Sequence, residues 1–107
     1  MSVDNSEVID AVAYENDKFI LQIYDHLEFD KETENDHMFM IQDKLNAYIW
    51  YVDNKQYKET YPDKDFSVFE IQIKFKYQPS YFCIEYLEHV NEKLKALNIC
   101  VTFEVAG

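Results

Sequence analysis

The stretch SVFEIQIKFKY, residues 67–77, constrains the fold of this chain more than any other segment. Apolar side chains fall at Phe69, Ile71, Ile73, Phe75 and Tyr77, and polar ones at Glu70, Gln72, Lys74 and Lys76. Successive side chains of a strand point to opposite faces of its sheet, so this is a strand with one buried and one wet face. A sheet with one apolar face needs a second layer to cover it. The cover follows directly: Pro79-Ser80 opens a helix over roughly 80–97 with the stripe Cys83, Leu87, Val90, Leu94 and Leu97, and Asn98 stops it. ICVTFEV (99–105) then returns as a strand with Ile99, Val101, Phe103 and Val105 inward. A strand–helix–strand passage within one sheet is a right-handed crossover, which makes these two strands parallel.

Upstream, EVIDAVAY (7–14) and KFILQIYD (18–25) are β-rich runs separated by Glu15-Asn16-Asp17, and Asn and Asp tolerate the positive φ of a tight hairpin. From Asp36 the period changes. Met38, Ile41, Leu45, Tyr48, Ile49 and Val52 recur at three- and four-residue steps, one face of a helix capped by Asn35 or Asp36 and ending near Asp53-Asn54. Residues 55–65 read as a polar connection broken at Pro62. The expected architecture is therefore a single α+β domain over 1–107, a two-layer sandwich in the order β-β-α-β-α-β. Its four-stranded mixed sheet carries both helices on one face, and the other face presents Gln22, Tyr24, Glu70, Gln72, Lys74, Lys76, Thr102 and Glu104.

Charge narrows the function. The net charge is −11, and residues 1–36 hold 11 acids against 2 lysines, whereas residues 37–107 hold 10 acids against 8. Such a field repels nucleic acid and anionic membranes and speeds encounter with a basic protein. Acids in MSVDNSEVID stand where a signal peptide would be basic, and Cys83 and Cys100 lack a disulfide framework, so a cytoplasmic protein with two reduced thiols is expected.

The densest acidic run is YDHLEFDKETENDH (24–37), with six carboxylates, two histidines and one lysine. Asp30, Glu32, Glu34 and Asp36 alternate like the first half of a calcium loop. Asn35 then replaces the glycine the turn needs, and Ile41 the closing bidentate Glu. No His-x-x-x-His pair exists for zinc, and His89 lies on a solvated helical face with Glu85, Glu88 and Glu92. The only glycine is Gly107, which excludes nucleophile-elbow, P-loop and dinucleotide fingerprints. Cys83 and His89, six residues apart on one helix, fall on different faces. No catalytic residue, metal or cofactor is expected, and the chain reads as no enzyme. On the first helix Phe39, Trp50 and Tyr51 lie off the core stripe. Trp50 either packs at the sheet edge or stands exposed as an anchor within an acidic surround, with Tyr57 and Tyr61 extending it.

Val8-Ile9-Asp10-Ala11, Asp25-His26-Leu27, QDKLNAYIWYV on the helix, Tyr61-Pro62 and Tyr77-Gln78-Pro79 together resemble a short, acidic bacterial family labelled only as a domain of unknown function. The resemblance covers nearly the whole chain, with Phe29 standing where members often carry Trp. It implies no catalysis, and small acidic cytosolic proteins of this kind are similar to immunity proteins that neutralise secreted toxins. The leading expectation is a non-enzymatic protein-binding module, an immunity-type inhibitor of a basic toxin. Its docking residues would be Asp25, His26, Glu28, Asp30, Glu32, Glu34, Asp36 and Trp50. One alternative is a metal- or small-molecule-binding protein using His26, His37 and the loop carboxylates. Another is a structural, homo-oligomeric domain whose acidic loop only solubilises it.

Overall fold

The computed structural model describes residues 11–106, and the elements follow the expected order. Strands β1 (Ala11–Glu15) and β2 (Lys18–Asp25) form an antiparallel hairpin, with Asn16 at a φ of 55° in its two-residue turn. Residues 7–10, expected to begin the first strand, lie outside the described residues. Helix α1 (Glu34–Asp53) leads to β3 (Val68–Phe75), and helix α2 (Tyr81–Leu94) leads to β4 (Ile99–Val105). The sheet order is β1-β2-β3-β4, and both β2–β3 and β3–β4 are parallel. Each helix thus spans a parallel pair, and both begin beyond the carboxyl ends of the strands.

The register shows why one face is dry. Phe19, Phe69 and Ile99 align across three strands; so do Leu21, Ile71 and Val101, then Ile23, Ile73 and Phe103. All but Phe103 are buried, in one core with Met38, Ile41, Leu45, Tyr48 and Val52 of α1 and Cys83, Leu87 and Leu94 of α2. Phe103 is 39% exposed because β4 is an outer strand and α2 covers it only further back. There the Asn91 amide pairs with both backbone groups of Val101, at 2.6 and 2.7 Å, closing the free edge of β4. On the opposite face, Glu70 is largely buried, held by Lys18 and by hydrogen bonds from Gln72 (2.6 Å) and Thr102 (3.0 Å).

Two local expectations change. Helix α1 is capped not by Asn35 or Asp36 but by Thr33, whose carbonyl accepts the His37 N–H at 2.9 Å. The polar connection contains a 3₁₀ turn (Gln56–Glu59) that drives Tyr57 into the core, 3% exposed, between Phe19 and Phe69 with ring centroids at 5.5 and 5.4 Å. Tyr61 is half-buried against the same cluster, edge-on to Phe19 at 6.0 Å. Neither extends an exposed aromatic surface, because burying a large ring outweighs the polarity of its sequence neighbours.

Candidate functional site

Strand alternation places Asp25 in the row of Phe75 and Val105, on the core side of the sheet. The residue is 2% exposed, and its side chain is fully buried. One oxygen accepts the Leu27 N–H at 3.0 Å, and the other meets His37 Nε2 at 2.6 Å. His37 is equally buried because it lies one turn before Ile41 on the inward side of α1. Phe29 stacks on the imidazole, centroids 4.0 Å apart, and abuts Phe75 edge-on at 5.7 Å. The acidic run is thus pinned from inside by three of its own residues. Nδ1 of His37 is the buried side-chain atom left without a hydrogen-bond partner among the described residues.

This pair has half the form of a catalytic dyad, and Cys83 does not complete it. Cys83 is close enough to feel Asp25, yet burial first, and the Asp25 and Glu34 carboxylates after it, push its thiol up to about 12. A thiol held neutral is packing material, not a nucleophile. His37 meets Asp25 and lies beside loop acids, but His26 does not join it in a metal-binding group. Among the described residues, no group of three or more His, Cys, Asp or Glu could hold a metal ion.

The other expected docking residues face outward. His26, Glu28, Asp30, Glu32 and Asp36 are exposed, and Glu34 is half-buried in the first turn of α1. Leu27, Glu28, Asp30, Thr33, Asp36, His37 and Met40 surround a cleft of about 380 Å³ at this edge. Trp50 is 58% exposed, so it stands as a surface aromatic and does not pack at the sheet edge. It lies fourteen residues beyond Asp36, about 21 Å along the helix axis, so the loop and Trp50 occupy opposite ends of α1. They are nonetheless on one side of it. Asp36, Phe39, Asp43, Asn46 and Trp50 recur at helical spacing, and all are exposed.

Sequence reasoning did not single out Phe82, which is 58% exposed at the start of α2. It joins Phe39, Met38 and Tyr86 in lining an apolar groove of about 200 Å³ between the helices. Its position one residue before Cys83 on an amphipathic helix was the available signal. Lys44 was missed as well: it is fully buried, its ammonium 5.6 Å from the centre of the Tyr48 ring.

The fold and site together define a small α+β protein with an acidic, aromatic-bearing face at the carboxyl edge of its sheet. The chain matches, over residues 1–107, the model of a family of unknown function, DUF6572, and belongs to that family. No curated protein and no solved structure gives a match. Among the described residues, no helix is long and apolar enough to cross a membrane.

Proposed function

We propose that this chain is a non-enzymatic protein-binding module that captures a basic protein, in the manner of an immunity-type inhibitor of a basic toxin. The observation that carries the reading is the continuity of one exposed face. Glu28, Asp30, Glu32 and Asp36 lead into the outer stripe of α1, where Phe39, Asp43 and Trp50 are all exposed. Protein interfaces draw their energy from a few aromatic anchors and their encounter rate from complementary charge, and this face has both. Large exposed rings on a small domain call for a covering surface. The carboxylates are suited to a toxin's phosphate- or nucleic-acid-binding basic groups.

The test is binding between the full chain and the product of its neighbouring gene, measured by calorimetry over a range of salt concentrations. Affinity should fall steeply with salt. Converting Glu28, Asp30, Glu32 and Asp36 to Gln or Asn should flatten that dependence, and Trp50→Ala should weaken binding by a salt-independent amount. If the neutralised variant keeps both its affinity and its salt dependence, the acidic edge is not the docking face.

A further inference from the structure

We infer that the groove between α1 and α2 seats a basic, amphipathic helix of the partner, which sets one large apolar side chain between Phe39 and Phe82. This rests on the reading of the chain as a module for a basic protein and names the segment that the partner supplies. Both helices run back across one face of the sheet from its carboxyl edge, and their backbones make few close contacts with each other. The gap is lined by Asn35, Met38, Phe39 and Gln42 of α1 and by Phe82 and Tyr86 of α2, none of them charged. At about 200 Å³ it is smaller than the pockets that enclose whole small ligands and suits a single side chain. Among the described residues nothing covers it, and the rings of Phe39 and Phe82 stay 63% and 58% exposed.

The walls and rim of the groove select its occupant. The walls are two helices whose backbone groups pair along each helix, so they offer no strand edge to an extended segment. An occupant must satisfy its own backbone, and a helix does so while presenting apolar side chains along one side. The rim selects the charge. Asp36 and Asp43 flank Phe39 on the outer side of α1, and Glu85 and Glu88 follow Phe82 along α2, all four exposed. Lys44, the one lysine of α1, is fully buried, and Lys93, the one lysine of α2, stands in its last turn. Lys31 and Lys76 are exposed, but in the loops ahead of the helices. An uncharged floor between two acidic margins complements a helix whose apolar stripe is flanked by Lys or Arg, and it opposes an acidic one. The same charge disfavours two other occupants: a second copy of this chain, which brings a net charge of −11, and an anionic membrane.

The test uses the ¹⁵N-labelled full chain and, as probe, a fluorescein-labelled helical peptide of leucine, lysine and alanine, with leucines along one side and lysines flanking them. Its twin carries glutamate in place of each lysine. The lysine peptide should bind by anisotropy and shift the backbone amides of Phe39, Gln42, Phe82 and Tyr86, while the glutamate peptide leaves them unmoved. Phe39→Ala and Phe82→Ala should each weaken the probe about tenfold, as loss of an aromatic anchor does, with circular dichroism unchanged because both rings are already exposed. Gln42→Trp, which adds bulk inside the groove, should abolish the shifts of Phe82 and Tyr86. The inference is overturned if the glutamate peptide binds equally, if Phe39→Ala and Phe82→Ala bind the probe undiminished, or if the shifts centre on residues 26–36. It also falls if the free chain sediments as a dimer that Phe82→Ala dissociates, which puts a second copy in the groove. Phosphatidylcholine vesicles that shift the same amides would overturn it too, in favour of a lipid surface. Should the probe miss the groove while the four-acid variant still loses the partner, the groove falls and the acidic docking face stands. Should the probe seat in the groove while the four-acid variant keeps the partner and its salt dependence, the acidic docking face falls alone.

Discussion

Replacing Asp25 with Ala should destabilise the fold far more than removing any other acid of the 24–37 run. The side chain takes one hydrogen bond from the Leu27 N–H at 3.0 Å and one from His37 Nε2 at 2.6 Å, and both Asp25 and His37 are only 2% exposed. Each donor left unsatisfied costs about 1–3 kcal/mol, and breaking a buried pair from one side typically costs about 3–5 kcal/mol. The expected loss is about 4 kcal/mol, a large part of the roughly 5–15 kcal/mol that a domain has. With a urea slope near 2 kcal/mol per molar, the unfolding midpoint should drop by about 2 M, followed by far-ultraviolet circular dichroism. The diagnostic partner is His37→Phe, which keeps the stack on Phe29 and carries no polar atom. Combined with Asp25→Ala it removes both ends of the bond, so the double variant should be more stable than Asp25→Ala alone by at least about 1 kcal/mol. A loss below about 1 kcal/mol for Asp25→Ala, or strict additivity of the pair, would show that the buried contact does not clamp the loop.

Cys83 should resist thiol reagents at pH 8 until the protein unfolds. Burial raises its pKa to about 12 from 9.0, leaving roughly one thiol in ten thousand ionised. The stability it contributes is complete below pH 9 and is lost as pH climbs toward 12, because the unfolded thiol ionises first; denaturation midpoints across that window check the sign. Glu70 behaves oppositely. Burial alone would raise its pKa, but the bonds from Lys18, Gln72 and Thr102 win and hold it below 4.5. Its contribution is present above that value and disappears as pH falls through the lowered one, so Glu70→Gln should flatten the acid limb of the stability profile. Trp50, the sole tryptophan and 58% exposed, should be quenched readily by acrylamide and caesium but less by iodide, which Asp43 and Asp53 repel. Equal quenching by both ions would place the indole outside an acidic surround.

The layered fold was legible because its signals are periodic. Alternation in β3 and the stripes of α1 and α2 state which face is inward before any contact is known. The same periodicities also contained what was missed. Phe19, Leu21 and Ile23 point inward at every second position, which sends Asp25 inward too. On α1, His37, Ile41, Lys44, Tyr48 and Val52 recur at helical spacing and are all buried. Residue type masked the pattern: a carboxylate, an imidazole and an ammonium read as surface unless a partner is known. Asp25 and His37 are twelve positions apart across an aperiodic loop, so nothing local links them. Tyr57 was hidden for a related reason, since the 3₁₀ turn that aims it inward has too few residues to show a period.

The inward turn of Asp25 also bears on how the acidic edge would act. Five carboxylates and Lys31 remain in residues 26–36, next to the positive end of the α1 dipole, which eases their mutual repulsion. Repulsion alone would splay a loop of this composition into many conformers, and a partner would then have to order it at its own cost. The buried clamp of Asp25, His37 and Phe29 removes most of that freedom beforehand. Asp25→Asn separates this role from simple charge, because the exposed carboxylates and their field barely change. The amide can still accept from Leu27 N–H through its oxygen, but the NH₂ that then faces Nε2 can only donate, so the contact between a carboxylate and the imidazole is lost. Partner affinity should then fall about tenfold with its salt dependence intact, since encounter relies on the exposed acids and retention on the ordered loop. The loss should appear in the dissociation rate, read by surface plasmon resonance. A drop confined to the association rate would mean that the surface field, and not the clamp beneath it, sets the interaction.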